Sequence, residues 1–531
     1  MTVSIFNDVV GPVMRGPSSS HCAAALRLGR LARDLMGQEF HHVLVQFDKS
    51  GSLPTTHTGQ GSDMGLFGGL LGWDADDERL PESKAHLAEA GIGLEFEYGE
   101  YGDAHPNTYR LTLTNDDCSR ELIGISTGGG MIEVTSIDGH QLSIDGGFDE
   151  TLIHVANSSS VDEAKFTAAC QEADANVQSV LFHPGENATL IQLQSGASIS
   201  RAAIDELMGG AECRVAHLQP VLPVRSGKHV EVPYLSCQAM EEYASKSESS
   251  LSLWELAAEY ESLRGAMSTD EVVAKMTDIV RILKHSLASG LAGTDYEDRV
   301  LGFQSGKYQE ELDKGQLIDA GVINRIVLYT TAIMEVKSSM GVIVAAPTAG
   351  ACAALPATCL AVGESLNLGD EEIAKAMLAA GMVGVFIAHT WSFAAEVGGC
   401  QAEGGSAAAM SAAAVVTMSG GTHQQATAAA SMALQNMLGL ICDPVANRVE
   451  APCLGKNIMA ASNAVCCANM ALAGFDAVIP LDETIEAARQ VSLKMPREHR
   501  CTGLGGLATT PTSLKLLEKM ECGSGCGSCG S

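Results

Sequence analysis

Three long stretches without a single Asp, Glu, Lys or Arg, residues 338–363, 376–395 and 404–442, set the strongest limit on the fold. Each is long enough to cross a bilayer. Their content argues otherwise: Ala, Gly, Ser and Thr dominate, Leu, Ile and Phe are sparse, and Pro347 and Pro356 interrupt the first. Small residues at this density let helix backbones approach closely inside a large soluble body, so a membrane location is not expected. From Leu253 onward strand signals nearly vanish and Ala-rich helical patterns run between Gly and Pro breaks. A single all-α domain over 253–520 is expected.

A chain of 531 residues is expected to hold two to four domains. Its net charge of −31 repels nucleic acid and anionic membranes, so neither is an expected partner. The opening MTVSIFNDVVGPVMRG has no charged segment followed by an apolar one, so a cytoplasmic location is expected. Sixteen cysteines in that setting mean free core thiols, a metal site, or both.

The first half reads as mixed α and β. Residues 22–37 (CAAALRLGRLARDLMG) place apolar side chains at helical spacing, with Arg27, Arg30 and Arg33 on a wetter face. HHVLVQFDKSG, EFEYGEY and TYRLTLTND read as strands, and LPESKAHLAEAGI as a helix from Pro81 to Gly91. Residues 150–222 give the order βαββαβ, the ferredoxin-like unit on which ACT domains are built. The expected layout is an α+β domain over 1–147, an ACT-like domain over 148–224, a linker over 225–252, the all-α domain, and a Cys/Gly/Ser tail over 521–531.

Several short motifs carry chemistry. RGPSSSHCAA (15–24) could cap a helix through Ser18 to Ser20 and turn N–H groups toward an anion. THTGQGSDMGLFGGLLG (56–72) is a glycine-rich turn that admits a carboxylate closely. STGGGM (126–131) resembles a cradle for pyridoxal phosphate, but only Lys49 and Lys84 stand upstream, in a turn and on an exposed helix. A β-turn is therefore expected there. The tail cysteines Cys522, Cys526 and Cys529 sit in a Gly/Ser-rich segment that could bind metal. Cys400, Cys442 and Cys453 each lie at a Gly- or Pro-rich break in an otherwise helical region. Three such thiols could ligate one iron–sulfur cluster, or could be buried free thiols like Cys352, Cys359, Cys466 and Cys467.

RGPSSSH, TGQGSDMGLFGGLLG, HPNTYRLTL, STGGGM, MGVIVAAPTAGACAALPA, GGCQAEGGSA, CDPVANRVEAPC and GLGGLATTPT follow one another as in iron–sulfur-dependent bacterial L-serine dehydratases. The chain resembles the β and α portions of that family fused, with an ACT-like domain between them. The resemblance implies a [4Fe–4S] cluster on Cys400, Cys442 and Cys453 with one iron open, and an N-terminal domain whose His21 faces the site. It implies conversion of L-serine to pyruvate and ammonia, a reaction of amino-acid catabolism, with the open iron as Lewis acid for the departing hydroxyl. Ser20, Thr348, Ala349 and Gly350 are the expected substrate contacts, with Lys307 behind them, and a homodimer is expected. The sequence departs from the family at Gln60, where a histidine is usual, at Cys22, where threonine is usual, and at Lys337, where asparagine is more frequent. Gln60 cannot carry a proton, so His21 is the base, His57 substitutes, or the substrate is not serine. A β-eliminase on a thiol amino acid and a non-catalytic amino-acid sensor are the alternatives.

Overall fold

The computed structural model describes residues 2–16, 18–58, 61–157, 161–173, 177–209, 211–225, 231–246, 251–296 and 299–523. They form two units, one of residues 18–227 and the other of residues 1–17 with 228–531.

In the first unit, strands β1 (His42–Asp48), β2 (Gly93–Gly99), β3 (Thr108–Thr114), β4 (Ser119–Gly128), β5 (Met131–Ile137) and β6 (His140–Ile144) make one sheet, ordered β2-β1-β3-β4-β5-β6. The β1–β2 pair is parallel and the other pairs are antiparallel. The helix Ala24–Leu35 lays Leu28, Leu31 and Leu35 on Val43, Val45, Tyr109 and Leu111 of that sheet. STGGGM is the β4–β5 hairpin turn, where Gly128, Gly129 and Gly130 all have positive φ.

A second sheet uses β7 (Asp149–Ala156), β8 (Val177–Pro184), β9 (Ala188–Ser195) and β10 (Cys213–Leu218), ordered β10-β7-β9-β8 and antiparallel throughout. The helices Glu163–Ala173 and Arg201–Leu207 connect its strands, so the observed order is the βαββαβ read in the sequence. Side-chain alternation explains why these strands look apolar throughout. Ile153 and Ile191 face Phe166 and Ile204, while their neighbours Leu152 and Leu190 join the core of the six-stranded sheet.

The second unit is largely helical. The helix Ser406–Met418 runs through its middle, packed against Asp370–Thr390, His423–Gln435, Cys453–Leu472 and Ala354–Ser365. Its alanines are buried, and little more than backbone separates it from its neighbours. Asp370–Thr390 has the length and apolar content of a membrane span, yet most of that surface is buried in protein.

Three features differ from the sequence expectation. The first 17 residues fold with the helical unit: Ile5, Phe6, Val9 and Val10 are fully buried, and the π-helical turn Ile5–Val9 lies on Asp370–Thr390. A Cβ at Gly381 or Gly384 would meet Ile5 or Val9 at 2.5 or 2.1 Å, so the small residues of that helix make room for this segment. Glu261 anchors it, accepting from the Ser4 hydroxyl at 2.6 Å and the Ile5 N–H at 2.8 Å. The helical unit also contains strand structure, because Val13–Arg15 pairs with Val342–Val344. Within the expected linker, Cys237–Ala244 is a helix whose Ser236 side chain caps it.

Candidate active site

Cys400 follows the short helix Ala395–Gly398 and a glycine in the left-handed region, Gly399 at φ +68°. A Cβ there would meet the Leu440 carbonyl at 2.9 Å, so residue 399 has reason to be glycine. The chain then makes a π-helical turn, Gln401–Gly405, that feeds directly into Ser406–Met418. Such turns often mark functional positions. Gln401 clamps the loop that carries Cys442. Its N–H donates to the Leu440 carbonyl at 2.9 Å, its Oε1 accepts from the Gly439 N–H at 2.8 Å, and its Nε2 donates to the Ser492 hydroxyl at 2.9 Å. Cys442 is fixed from the other side by its N–H on the His499 carbonyl, 2.9 Å away. Cys453 opens the helix Cys453–Leu472, so it stands at a helix start and not within a loop.

The three thiols are 5%, 4% and 8% exposed. Cys400 and Cys442 pack together with Ala395, Leu440 and a fourth thiol, Cys501, and the Cys442 sulfur is in hydrogen-bonding contact with both Cys400 and Cys501. Burial pushes the Cys453 thiol up to about 12. Cys400 is raised further, by its contact with Cys442 and then by burial. Cys442 is also raised: its bond from Cys400 works the other way, but the Cys501 contact and burial outweigh it. Such thiols ionise when a cation or a metal compensates the charge. Lys456, one turn beyond Cys453, donates to the Cys400 sulfur at 3.6 Å, to Asp443 Oδ1 at 2.6 Å and to the Ile441 carbonyl at 2.7 Å.

The APTAGA loop lies on the same site. Thr348 donates its hydroxyl to Glu403 Oε1 at 2.7 Å and accepts from the Ala351 N–H at 3.2 Å. Buried Asn457 ties the loop to the Cys453 helix: its Nδ2 donates to the Gly350 and Cys453 carbonyls, each at 2.9 Å, and its Oδ1 accepts from the Ala354 N–H at 3.1 Å. Burial pushes the Glu403 carboxyl up to about 7, against the pull of the Thr348 hydroxyl. Lys337 is buried, donates to the Val449 carbonyl, and bears electrostatically on Cys352, Glu403 and Cys453.

Of the expected site residues, Cys400, Cys442, Cys453, Thr348, Ala349 and Gly350 therefore share one neighbourhood. Lys307 is an exposed residue of the helix Ser305–Asp313. In the other unit, His21 is 9% exposed, its Nδ1 lies 3.0 Å from the Ser18 hydroxyl, and burial lowers it to about 4. His57 has both ring nitrogens engaged, Nδ1 with Asp63 at 2.6 Å and Nε2 with the Tyr98 hydroxyl at 2.9 Å, and stacks on Phe96. Gln60, the side chain of Ser20, Cys526, Cys529 and the side chain of Cys522 lie outside the described residues. Glu403, Lys456, Asn457, Asp443 and Cys501 went unread in the sequence. Glu403 and Lys456 each stand three residues after a candidate thiol, which is the signal that could have found them.

Among the described residues no three His, Cys, Asp or Glu side chains are grouped to hold a single metal ion. A cluster makes a different demand, because each thiolate binds its own iron. Converging soft sulfur donors with a nearby ammonium fit iron–sulfur chemistry better than a hard cation.

The sequence profile described as serine dehydratase alpha chain matches residues 248–508. The probable L-serine dehydratase alpha chain of Bacillus subtilis is 40% identical over 251 residues, which is 47% of this chain and 84% of the relative. The chain belongs to the serine dehydratase family. The L-serine dehydratase alpha chain of Peptoniphilus asaccharolyticus is 37% identical over 51% of this chain and 93% of its own length. The probable L-serine dehydratase beta chain of Bacillus subtilis is 44% identical over 28% of this chain and 67% of its own length. The chain thus carries likeness to both an alpha-chain and a beta-chain relative.

Proposed function

We propose that this chain converts L-serine to pyruvate and ammonia, with a [4Fe–4S] cluster on Cys400, Cys442 and Cys453. The reading is carried by the meeting of those thiols, from three separate breaks in the helical unit, inside a region that matches the alpha-chain family. When bound, the cluster supplies a Lewis acid for the leaving hydroxyl.

The remaining demands fall on the protein. Removing the α-proton from serine needs a base, because no imine is present to absorb the charge. Loss of water then leaves 2-aminoacrylate, which tautomerises and takes up water to give pyruvate and ammonia. Thr348 and the backbone of 349–350 would hold the amino acid. His21, in the other unit, is held neutral across the physiological range by burial, with the Ser18 hydroxyl on its Nδ1. Burial around the thiols excludes bulk water that would compete for an exposed site.

The sheet order β10-β7-β9-β8, with two helices in the connections, supports an ACT-like module over 148–224. A homodimer in the cytoplasm completes the reading. The test is the visible spectrum of anaerobically purified protein with and without L-serine, together with pyruvate release. A brown protein whose spectrum changes on serine addition and that forms pyruvate is expected. A colourless protein, inactive after incubation with iron and sulfide, would refute the proposal. Sulfide released from L-cysteine without turnover of serine would move the leaving group from hydroxyl to thiol.

A further inference from the structure

Glu403 stands out in its own turn. Gln401 and Ala402 before it and Gly404 and Gly405 after it are buried, whereas Glu403 retains partial solvent access. A glutamate in the middle of a buried π-helical turn needs a reason, and among the described residues no backbone N–H holds it there: its surroundings supply the Thr348 hydroxyl and the nearby charges of Lys337 and Lys456.

Other carboxylates of the same unit show what a structural role looks like. Glu261 accepts from the Ser4 hydroxyl and the Ile5 N–H. Glu335 accepts from the N–H groups of Gln304 and Ser305 and from the Ser305 hydroxyl. Glu450 accepts from the N–H groups of Val300 and Leu301. Each spends both oxygens holding a loop or a chain end. Among the described residues, Glu403 takes one hydroxyl, from Thr348 on Oε1. The chain beside it is bare: a Cβ at Gly350 would stand 2.8 Å from Oε1 and 3.0 Å from Oε2. The carboxylate therefore lies along the glycine of the APTAGA loop, three residues after Cys400, with one oxygen oriented by a hydroxyl and the other uncommitted.

We infer that Glu403 is a catalytic residue, the carboxylate that takes the α-proton of the amino-acid substrate held by Thr348 and Gly350; this rests on the dehydratase reading above. The proton passes from the substrate Cα to a Glu403 oxygen, and the electron pair of the C–H bond becomes the Cα–Cβ double bond of 2-aminoacrylate. The Cβ–O bond breaks with its pair on the departing hydroxide, which takes a proton from solvent to leave as water. The carboxyl proton then leaves to solvent. The competing assignment, a carboxylate that only binds the substrate ammonium, predicts a KM effect and no change in proton transfer.

The experiment compares full-length wild type, Glu403→Gln and Glu403→Ala, each loaded with iron and sulfide. Measured are iron and sulfide content, the visible spectrum, kcat, KM and exchange of the serine α-proton with deuterated solvent. Expected for Glu403→Gln are an unchanged spectrum, KM within about threefold, and kcat and α-proton exchange lowered by roughly 10²–10⁴-fold. Formate should restore part of the turnover of Glu403→Ala, since a small carboxylate can enter the vacated space. Wild-type-like kcat in Glu403→Gln would overturn the inference. So would loss of the cluster in both variants, which would make Glu403 a structural support, or a rise in KM alone. A wild type that binds no cluster and forms no pyruvate refutes the dehydratase reading itself, a result separate from any of these.

Discussion

The Lys456 ammonium lies 3.6 Å from the Cys400 sulfur and 2.6 Å from Asp443 Oδ1, so one half-buried cation links a candidate cluster thiol to the loop that carries another. Burial alone would lower this lysine, yet Cys400 and Asp443 together hold it above its usual value. The ammonium therefore stays charged and favours the thiolate form. Lys456→Met is expected to lose the brown chromophore faster in air than wild type does, followed by absorbance and iron release. Asp443→Asn keeps the ammonium beside the thiol and should bleach more slowly than Lys456→Met. Equal rates would show that Lys456 acts through Asp443 alone.

Cys400→Ser, Cys442→Ser and Cys453→Ser should each remove chromophore and pyruvate formation together. Cys352→Ser and Cys359→Ser bury a hydroxyl where a thiol was, which costs about 1–3 kcal/mol of stability but should leave the iron content intact. A Cys442→Ser protein with full iron, sulfide and turnover would show that the ligand set is different, and Cys501, in contact with Cys442, is the thiol to replace next.

Asn457 makes three hydrogen bonds that tie the 348–354 loop to the first turn of the Cys453 helix. Asn457→Leu leaves the carbonyls of Gly350 and Cys453 and the N–H of Ala354 without that partner, at about 1–3 kcal/mol for each buried group left unsatisfied. The expected result is a lower urea midpoint together with a raised KM for serine, because the same loop holds Thr348 and Gly350. An unchanged KM would separate the loop from substrate binding.

The relation between sequence and site is uneven for physical reasons. Strand alternation and helix punctuation are local, so β7–β10 and their helices were readable from residues 150–222 alone. The cysteines drew attention because Gly and Pro breaks in an Ala-rich helical region are conspicuous, but the breaks left cluster ligands and buried free thiols open, and the family resemblance singled out the three. The placement of residues 5–10 was not, since an apolar segment carries no mark of which body will bury it. It was decided by Gly381 and Gly384, about 375 positions away, which leave room for Ile5 and Val9. Glu403 and Lys456 were hidden for a similar reason. Each looks like an ordinary charge in a helical stretch until the turns around Cys400 and Cys453 bring them beside the thiols. Lys307 shows the reverse case, a lysine beside a suggestive QSGK motif that is exposed on its helix.

His154 gives a prediction on pH. Burial, and then the Arg120 guanidinium 3.0 Å from its Nε2, hold it down at about 4, against the pull of Asp138. An unfolded histidine titrates near 6.5, so between about 6.5 and 4 the unfolded chain takes a proton that the folded chain refuses. The contribution of His154 is therefore complete above about pH 6.5 and is lost progressively as pH falls toward 4. His21 and His217 are also lowered by burial and add to the same slope. His154→Gln can still offer Arg120 an oxygen and has no proton to refuse. Urea midpoints at pH 7.5, 6 and 5 should fall for wild type and fall less for His154→Gln. The variant should match or slightly trail wild type at pH 7.5, where the histidine is neutral in both states. An identical slope in the two proteins would show that the acid sensitivity comes from other groups.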